Sequence, residues 1–263
     1  MYHSGLLGKE NISKAQEYFA KTLKGFLFLE PSAGKMQPYI WYHLGRLYNF
    51  GYGTEQDYSE AFKWFQKAAL AENDYAQYSL GGLYFYGNGT QQDYTKAFSW
   101  YKKSADLNNI FACYSTAKVL DEGIGAEKNT EQAELYFKNA YKGFWKIKDE
   151  NPDEKNMFRL GMMTLNGQGC KADQNLGIDF IKQSAELGNE YAKVFLENMG
   201  RYNLTVARNA VISMLFSFGR LISDDYNRSL RGQNMRTEHK LKSAIRRKKQ
   251  ALGLKESQTE QKF

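Results

Sequence analysis

Residues 44–69 read LGRLYNFGYGTEQDYSEAFKWFQKAA, and the fold turns on what the two glycines in the middle do. Gly51 and Gly53 stand just ahead of a helical run that starts near Tyr58. Glycines there could cradle a phosphate on backbone N–H groups at a helix N-terminus, or could bend the chain between two helices. Repetition decides between them. Residues 80–105 read LGGLYFYGNGTQQDYTKAFSWYKKSA, 36 residues on, and residues 116–141 read TAKVLDEGIGAEKNTEQAELYFKNAY, 36 on again. Residues 160–185, LGMMTLNGQGCKADQNLGIDFIKQSA, follow an insertion of eight residues that contains Asn151-Pro152-Asp153. A phosphate loop is normally used once, after a strand. The pairs Gly51/Gly53, Gly87/Gly89, Gly123/Gly125 and Gly167/Gly169 recur at the spacing of helical hairpins, so they are punctuation.

Each residue type in the repeat has a physical task. Ile40, Leu44, Leu47 and Tyr48 fall on one side of the first helix. Gly51 ends that helix, where a left-handed residue closes the last turn without a Cβ penalty, and Gly53 lets the chain reverse. Asp57 is placed to cap the second helix, with Glu60 three residues on completing a capping box. Asp93, Asn129 and Asp173 take the same place. Ala61, Trp64, Phe65 and Ala68 give the second helix its apolar stripe. Small Ala61 and Ala97 allow close helix approach, and Trp64 and Trp100 are expected to fill the space between hairpins. No hairpin of this size buries its stripe alone, so the hairpins must stack.

The pattern L-G-x-x-Y-x-x-G-x-G-x-x-x-D-x-x-x-A-x-x-W-x-x-K-A-A resembles the Sel1-like repeat, a relative of the tetratricopeptide repeat. The resemblance covers roughly residues 1–200 and implies an all-α, right-handed α/α solenoid. It places a partial repeat at 1–38 and full repeats near 39–74, 75–110, 111–155 and 156–192. Departures are local: Thr116-Ala117 replaces Leu-Gly, Leu120 and Thr164 replace the tyrosine, and Gly177 replaces the alanine. Asn11, Ala15 and Tyr18 align with Asp57, Ala61 and Trp64, so the chain is expected to begin partway along a first helix, inside an array.

Composition bounds the class. Aromatics make up 15% of 263 residues and there are 3 prolines, which suits long uninterrupted helices with a core. Cys113 and Cys170 lie in different repeats and in no metal spacing, so neither a disulfide framework nor a metal site is expected, and the compartment reads as cytoplasmic. No basic-then-apolar leader follows Met1, and the apolar run 211–218 is too short to span a bilayer. Net charge is +7, all of it accounted for by residues 219–263, with 12 Lys and Arg against 5 Asp and Glu. A neutral body thus carries a basic tail. Residues 201–230 read as a capping helix with Ala207, Val211, Met214, Leu215, Phe218 and Ile222 along one side. Residues 231–263 read as a basic tail, helical or disordered, whose densest charge is Arg246, Arg247, Lys248 and Lys249. Such a run could give weak, salt-sensitive DNA contact without sequence preference.

Residues 209–255, NAVISMLFSFGRLISDDYNRSLRGQNMRTEHKLKSAIRRKKQALGLK, behind repeats of this kind, resemble the C-terminal part of MobA/MobL-type relaxases from plasmids and mobile elements of Gram-positive bacteria. The resemblance implies a relaxase tail without its nuclease. A relaxase nuclease needs a His-apolar-His metal site and a nucleophilic tyrosine, and His3, His43 and His239 form no such pair. No catalytic constellation emerges, so no enzyme activity, cofactor or small-molecule substrate is expected. The expectation is instead a protein-interaction scaffold, its groove lined by the first helix of each repeat. On the helical wheel Tyr42, Arg46 and Asn49 lie opposite the Leu44/Leu47/Tyr48 stripe, with Tyr78, Gly82, Phe85 and then Tyr114, Lys118, Asp121 as equivalents. The recurring aromatic (Tyr42, Tyr78, Tyr114, Phe158) reads as an architectural ladder. Arg46, Asn49, Phe85, Lys118 and Asp121 are the expected groove residues for a protein partner.

Overall fold

In a computed structural model the described residues are 9–150 and 152–201, and they form ten α-helices and two short 3-10 turns. Helix α1 spans Lys9–Leu29; the turns Glu30–Ser32 and Gly34–Met36 lead from it into α2, Gln37–Phe50. There follow α3 (Tyr58–Leu70), α4 (Asp74–Tyr86), α5 (Tyr94–Asp106), α6 (Ile110–Glu122), α7 (Thr130–Glu150), α8 (Glu154–Asn166), α9 (Gln174–Glu186) and α10 (Glu190–Arg201). The pairs α2–α3, α4–α5, α6–α7 and α8–α9 are antiparallel hairpins, and successive hairpins stack as a solenoid. The capping helix expected within 201–230 and the tail at 231–263 lie outside the described residues, apart from Arg201.

The first glycine of each pair ends the first helix. Gly51 has φ of 67° and donates its N–H to the Leu47 carbonyl. The second glycine has a stronger constraint than a tight reversal. A Cβ on Gly89 would lie 2.2 Å from the Tyr58 carbonyl oxygen, and one on Gly125 would lie 2.3 Å from that of Tyr94. The loops of these two repeats therefore rest directly on the backbone at the start of the preceding second helix, which only glycine permits.

Asp57 caps α3, its Oδ1 accepting from Ser59 N at 2.8 Å and Glu60 N at 3.0 Å. The expected capping box does not form. The Asp57 N–H donates to the Tyr48 carbonyl at 3.0 Å instead, and the Glu60 carboxylate pairs with Lys63. The same backbone tie recurs from Asp93 to Tyr84, Asn129 to Leu120 and Asp173 to Thr164. It satisfies the donor that a capping-box glutamate would have taken.

The first helices carry caps of their own at the same period: Asn73, Asn109, Asp153 and Asn189 each accept from the backbone of α4, α6, α8 and α10. Two of these asparagines also bridge repeats. Asn109 Nδ2 donates to Asp74 Oδ2 at 2.8 Å, and Asn189 Nδ2 to the Glu154 carbonyl at 2.9 Å. Ser104 and Ser184 add a hydroxyl to each bridge.

The core follows the stripes. Leu44, Leu80, Thr116 and Leu160 on the first helices and Phe65, Tyr101, Phe137 and Ile181 on the second are all buried, and Leu80 shares a core cluster with Phe65 of the preceding hairpin, as Leu160 does with Phe137. Gly45 and Gly81 make this possible: a Cβ there would lie 2.6 Å from the Phe65 or Tyr101 ring. Trp64 and Trp100 are only half-buried. Each lies at the margin of a core cluster with a lysine ammonium 4.3 Å from its ring centre, Lys67 and Lys103 respectively. The more deeply buried ring of each second helix is the next residue along, Phe65 or Tyr101.

The eight-residue insertion is mostly helix. Helix α7 has 21 residues where α3, α5 and α9 have 13. The following repeat is displaced with it. A Cβ on Gly169 would meet the Phe137 carbonyl at 2.3 Å, not the first residue of α7. The fourth hairpin has thus slid seven residues, about 10 Å, along its neighbour. Helix α1, also 21 residues, does the same: Gly53 rests on Phe19 and Ala20, well inside the helix. At both slid joints a polar side chain of the long helix accepts the glycine N–H, Gln16 for Gly53 and Glu134 for Gly169.

Candidate protein-interaction face

The first helices α2, α4, α6 and α8 repeat one side on which exposed and half-buried rings alternate. Residues three, four and seven apart share a helical face, so the positions on it are Tyr39, Tyr42, His43 and Arg46 on α2 and their equivalents at the repeat spacing. Tyr42, Tyr78, Tyr114 and Phe158 are half-buried, and each packs against a core cluster between successive helices. They form the ladder expected from their recurrence.

One turn earlier stands a second row that sequence reasoning missed. Tyr39 is 48% exposed and Tyr75 is 47% exposed, with Phe111 half-buried in the same place on α6. The two rows interlock across repeats. Ring centres of Tyr42 and Tyr75 are 5.8 Å apart, those of Tyr78 and Phe111 are 6.0 Å apart, and Phe111 sits edge-on to Phe144 at 5.6 Å. The signal that would have found Tyr39, Tyr75 and Phe111 was the same 36-residue period, applied one turn earlier. Half-exposed aromatic rings held by neighbouring rings offer apolar contact at little entropic cost.

His43 lies among Phe26, Tyr39 and Tyr42, with ring centres 5.6, 4.2 and 5.2 Å away. Burial pulls its pKa below the ordinary histidine value, and the nearby Arg46 charge pulls in the same direction. Burial raises the Tyr42 hydroxyl pKa, with Arg46 opposing. His43 is therefore kept neutral, and the charge on this face comes from other groups.

The expected groove residues divide. Arg46 is on the face, its guanidinium 5.8 Å from the Tyr42 ring centre. Lys118 is there too, 3.6 Å from Glu122. Asn49 is not: it is 5% exposed, and its Oδ1 has no hydrogen-bond partner. Phe85, its equivalent on α4, packs against Tyr94 and Tyr101 at 5.0 and 6.4 Å between ring centres. That position faces the partner helix of the same hairpin. The wheel failed there because a stacked helix is covered on more than one side, so the residue opposite one apolar stripe lies against another neighbour. Asp121, third in that series, is half-buried. Arg246, Arg247, Lys248 and Lys249 lie outside the described residues.

Cys113 is buried and its thiol is pushed up to about 11 by desolvation, with Asp106 adding to it. The half-buried Cys170 is also raised, again chiefly by burial. Among the described residues no group of three or more His, Cys, Asp or Glu converges as a metal site, and no helix is long and apolar enough to cross a membrane.

Two solved structures are similar. A protective antigen present in uropathogenic Escherichia coli strains and displaying an SLR fold is 29% identical over 65% of this chain, with a TM-score of 0.47; the present chain spans 35% of that one. A Sel1 repeat protein from Oxalobacter formigenes is 28% identical over 70% of this chain and 71% of its own, also with a TM-score of 0.47. No curated protein matches. The Sel1 repeat model matches residues 1–24, 42–73, 74–109, 110–143 and 157–189. Those matches fill more than half of the 263 residues, and they coincide with the hairpins whose glycines, caps and rings have been described: the chain belongs to the Sel1 repeat family.

Proposed function

We propose that this chain is a non-catalytic protein-interaction scaffold whose partner lies along the first-helix face. Sel1 repeat proteins generally act as protein-interaction scaffolds. The observation that carries the reading here is the double row of rings: Tyr39 and Tyr75 remain nearly half exposed although their neighbours are packed. An exposed tyrosine repeated at the repeat period suits contact with a partner. The test places a photo-crosslinking amino acid at Tyr75, and separately at Lys63 on the exposed side of α3, in the source cells. Discrete adducts from position 75 alone, lost on Tyr39→Ala, support the reading. Equal labelling from both positions, or none from 75, sinks it.

A second reading rests on the sequence of residues 219–263, with their net charge of +7. In it the chain is a DNA-mobilisation accessory, related to the C-terminal part of relaxases, that touches nucleic acid through Arg246, Arg247, Lys248 and Lys249. Binding would be weak and steeply salt-dependent. Gel retardation at low salt, with and without residues 236–263, checks it; no retardation by the full chain leaves the scaffold reading alone.

A further inference from the structure

We propose that the face between Arg46 and Arg159 takes an extended peptide segment with carboxylates toward both ends and aromatic or large apolar side chains between them. This deepens the scaffold reading and rests on it. Arg46 on α2 and Arg159 on α8 each stand over a ring of the face, Arg46 5.8 Å from the Tyr42 centre and Arg159 5.7 Å from that of Phe111. Among the described residues neither has a carboxylate within 4 Å, whereas Lys118, between them on α6, is paired with Glu122 at 3.6 Å. Two uncompensated guanidinium groups thus bracket a stretch whose cation is already neutralised. A planar guanidinium braced on a ring is suited to bidentate capture of a carboxylate.

The middle of the stretch is apolar and open. Gly82 occupies on α4 the place of Arg46 on α2, and a Cβ built there meets only the Tyr101 hydroxyl at 3.7 Å. Around it stand Tyr75, Tyr78 and Phe111, exposed or half-buried. The floor therefore reads cation, rings, cation. A nucleic acid fits less well, because its evenly spaced phosphates would cross a ring-lined middle whose one lysine, Lys118, is already paired with Glu122. Residues 219–263 of this chain carry a net +7 and have the wrong sign.

The test is selection of a random 12-residue peptide library on the immobilised full-length protein at low salt, followed by fluorescence anisotropy of the enriched sequences. Expected are peptides with Asp or Glu toward both ends and an aromatic centre. Their affinity should fall at least tenfold in the double variant Arg46→Glu/Arg159→Glu and recover in part when the peptide acids are changed to lysine. Arg46→Gln/Arg159→Gln serves if charge reversal impairs folding. Selected peptides without acidic enrichment, yet lost on Tyr39→Ala/Tyr75→Ala, would overturn the partner chemistry while leaving the face. Absence of any binder sensitive to either pair of changes would overturn both. Displacement of the peptides by single-stranded DNA at equal affinity would make the face a general polyanion site. Self-association abolished by the same double variant would assign it to a second copy of this chain. Either result defeats the proposal.

Discussion

Glu72 holds φ of 59° in the turn between α3 and α4, a left-handed conformation that costs a side-chain-bearing residue about 1–2 kcal/mol. Asn108 (φ 64°) and Gly188 (φ 100°) occupy the matching turns. Glycine is already tolerated at the third of them, so Glu72→Gly should raise unfolding free energy by up to about 1 kcal/mol once the added chain entropy is offset. Urea melts check this, and a loss would mean that the turn relies on the glutamate side chain. Gly81→Ala runs the other way. Alanine is the better helix former, but its Cβ would lie 2.6 Å from the buried Tyr101 ring. The overpacked site should lose about 1–3 kcal/mol. His43 gives a pH dependence. Its folded pKa is depressed, so the unfolded chain binds the proton more readily. Stability should be full above the ordinary value near 6.5 and fall as pH drops below it. The difference between urea midpoints at pH 7.0 and 5.5 should shrink in His43→Phe.

At the scale of elements, the first two full hairpins are held by one ring from the second helix, Phe65 or Tyr101, lying against the glycine of the first, Gly45 or Gly81. Phe65 is fully buried and Trp64 beside it only half so. Phe65→Ala should therefore cost about 3–5 kcal/mol, and Trp64→Ala clearly less, near 2 kcal/mol. Equal losses in denaturant melts would place the tryptophan deeper in the joint than its packing indicates.

For the whole molecule, each repeat touches mainly its neighbours, so damage at one joint should stay local. Gly125 has φ of 80° and rests on the Tyr94 carbonyl. Gly125→Ala combines a forbidden conformation with a backbone collision, and a loss of at least about 2 kcal/mol is expected. Amide exchange should speed first in α5, α6 and α7, while α2 and α3 keep their protection. Uniform acceleration along the chain would show a fully cooperative array instead.

The repeat was legible because its decisive residues act locally. A left-handed glycine closes a helix, an aspartate caps one, and an alanine admits a neighbour, whatever the surroundings; four copies made these tasks visible in the sequence alone. Asn49 and Trp64 were less legible, since a helix wheel shows one apolar stripe and not how many neighbours press on the rest. Two decisions belonged to the tertiary structure. The eight residues before the fourth repeat could have formed a loop; they lengthened α7, and the next hairpin then settled where Gly169 met Phe137 and Glu134 met the glycine N–H. The first-helix face acquired its second row of rings because α2, α4 and α6 were stacked in a register that sets Tyr42 beside Tyr75 and Tyr78 beside Phe111. Both depend on distances between residues more than thirty positions apart. Local periodicity fixes which side of a helix a residue occupies, but only packing fixes which residue it meets.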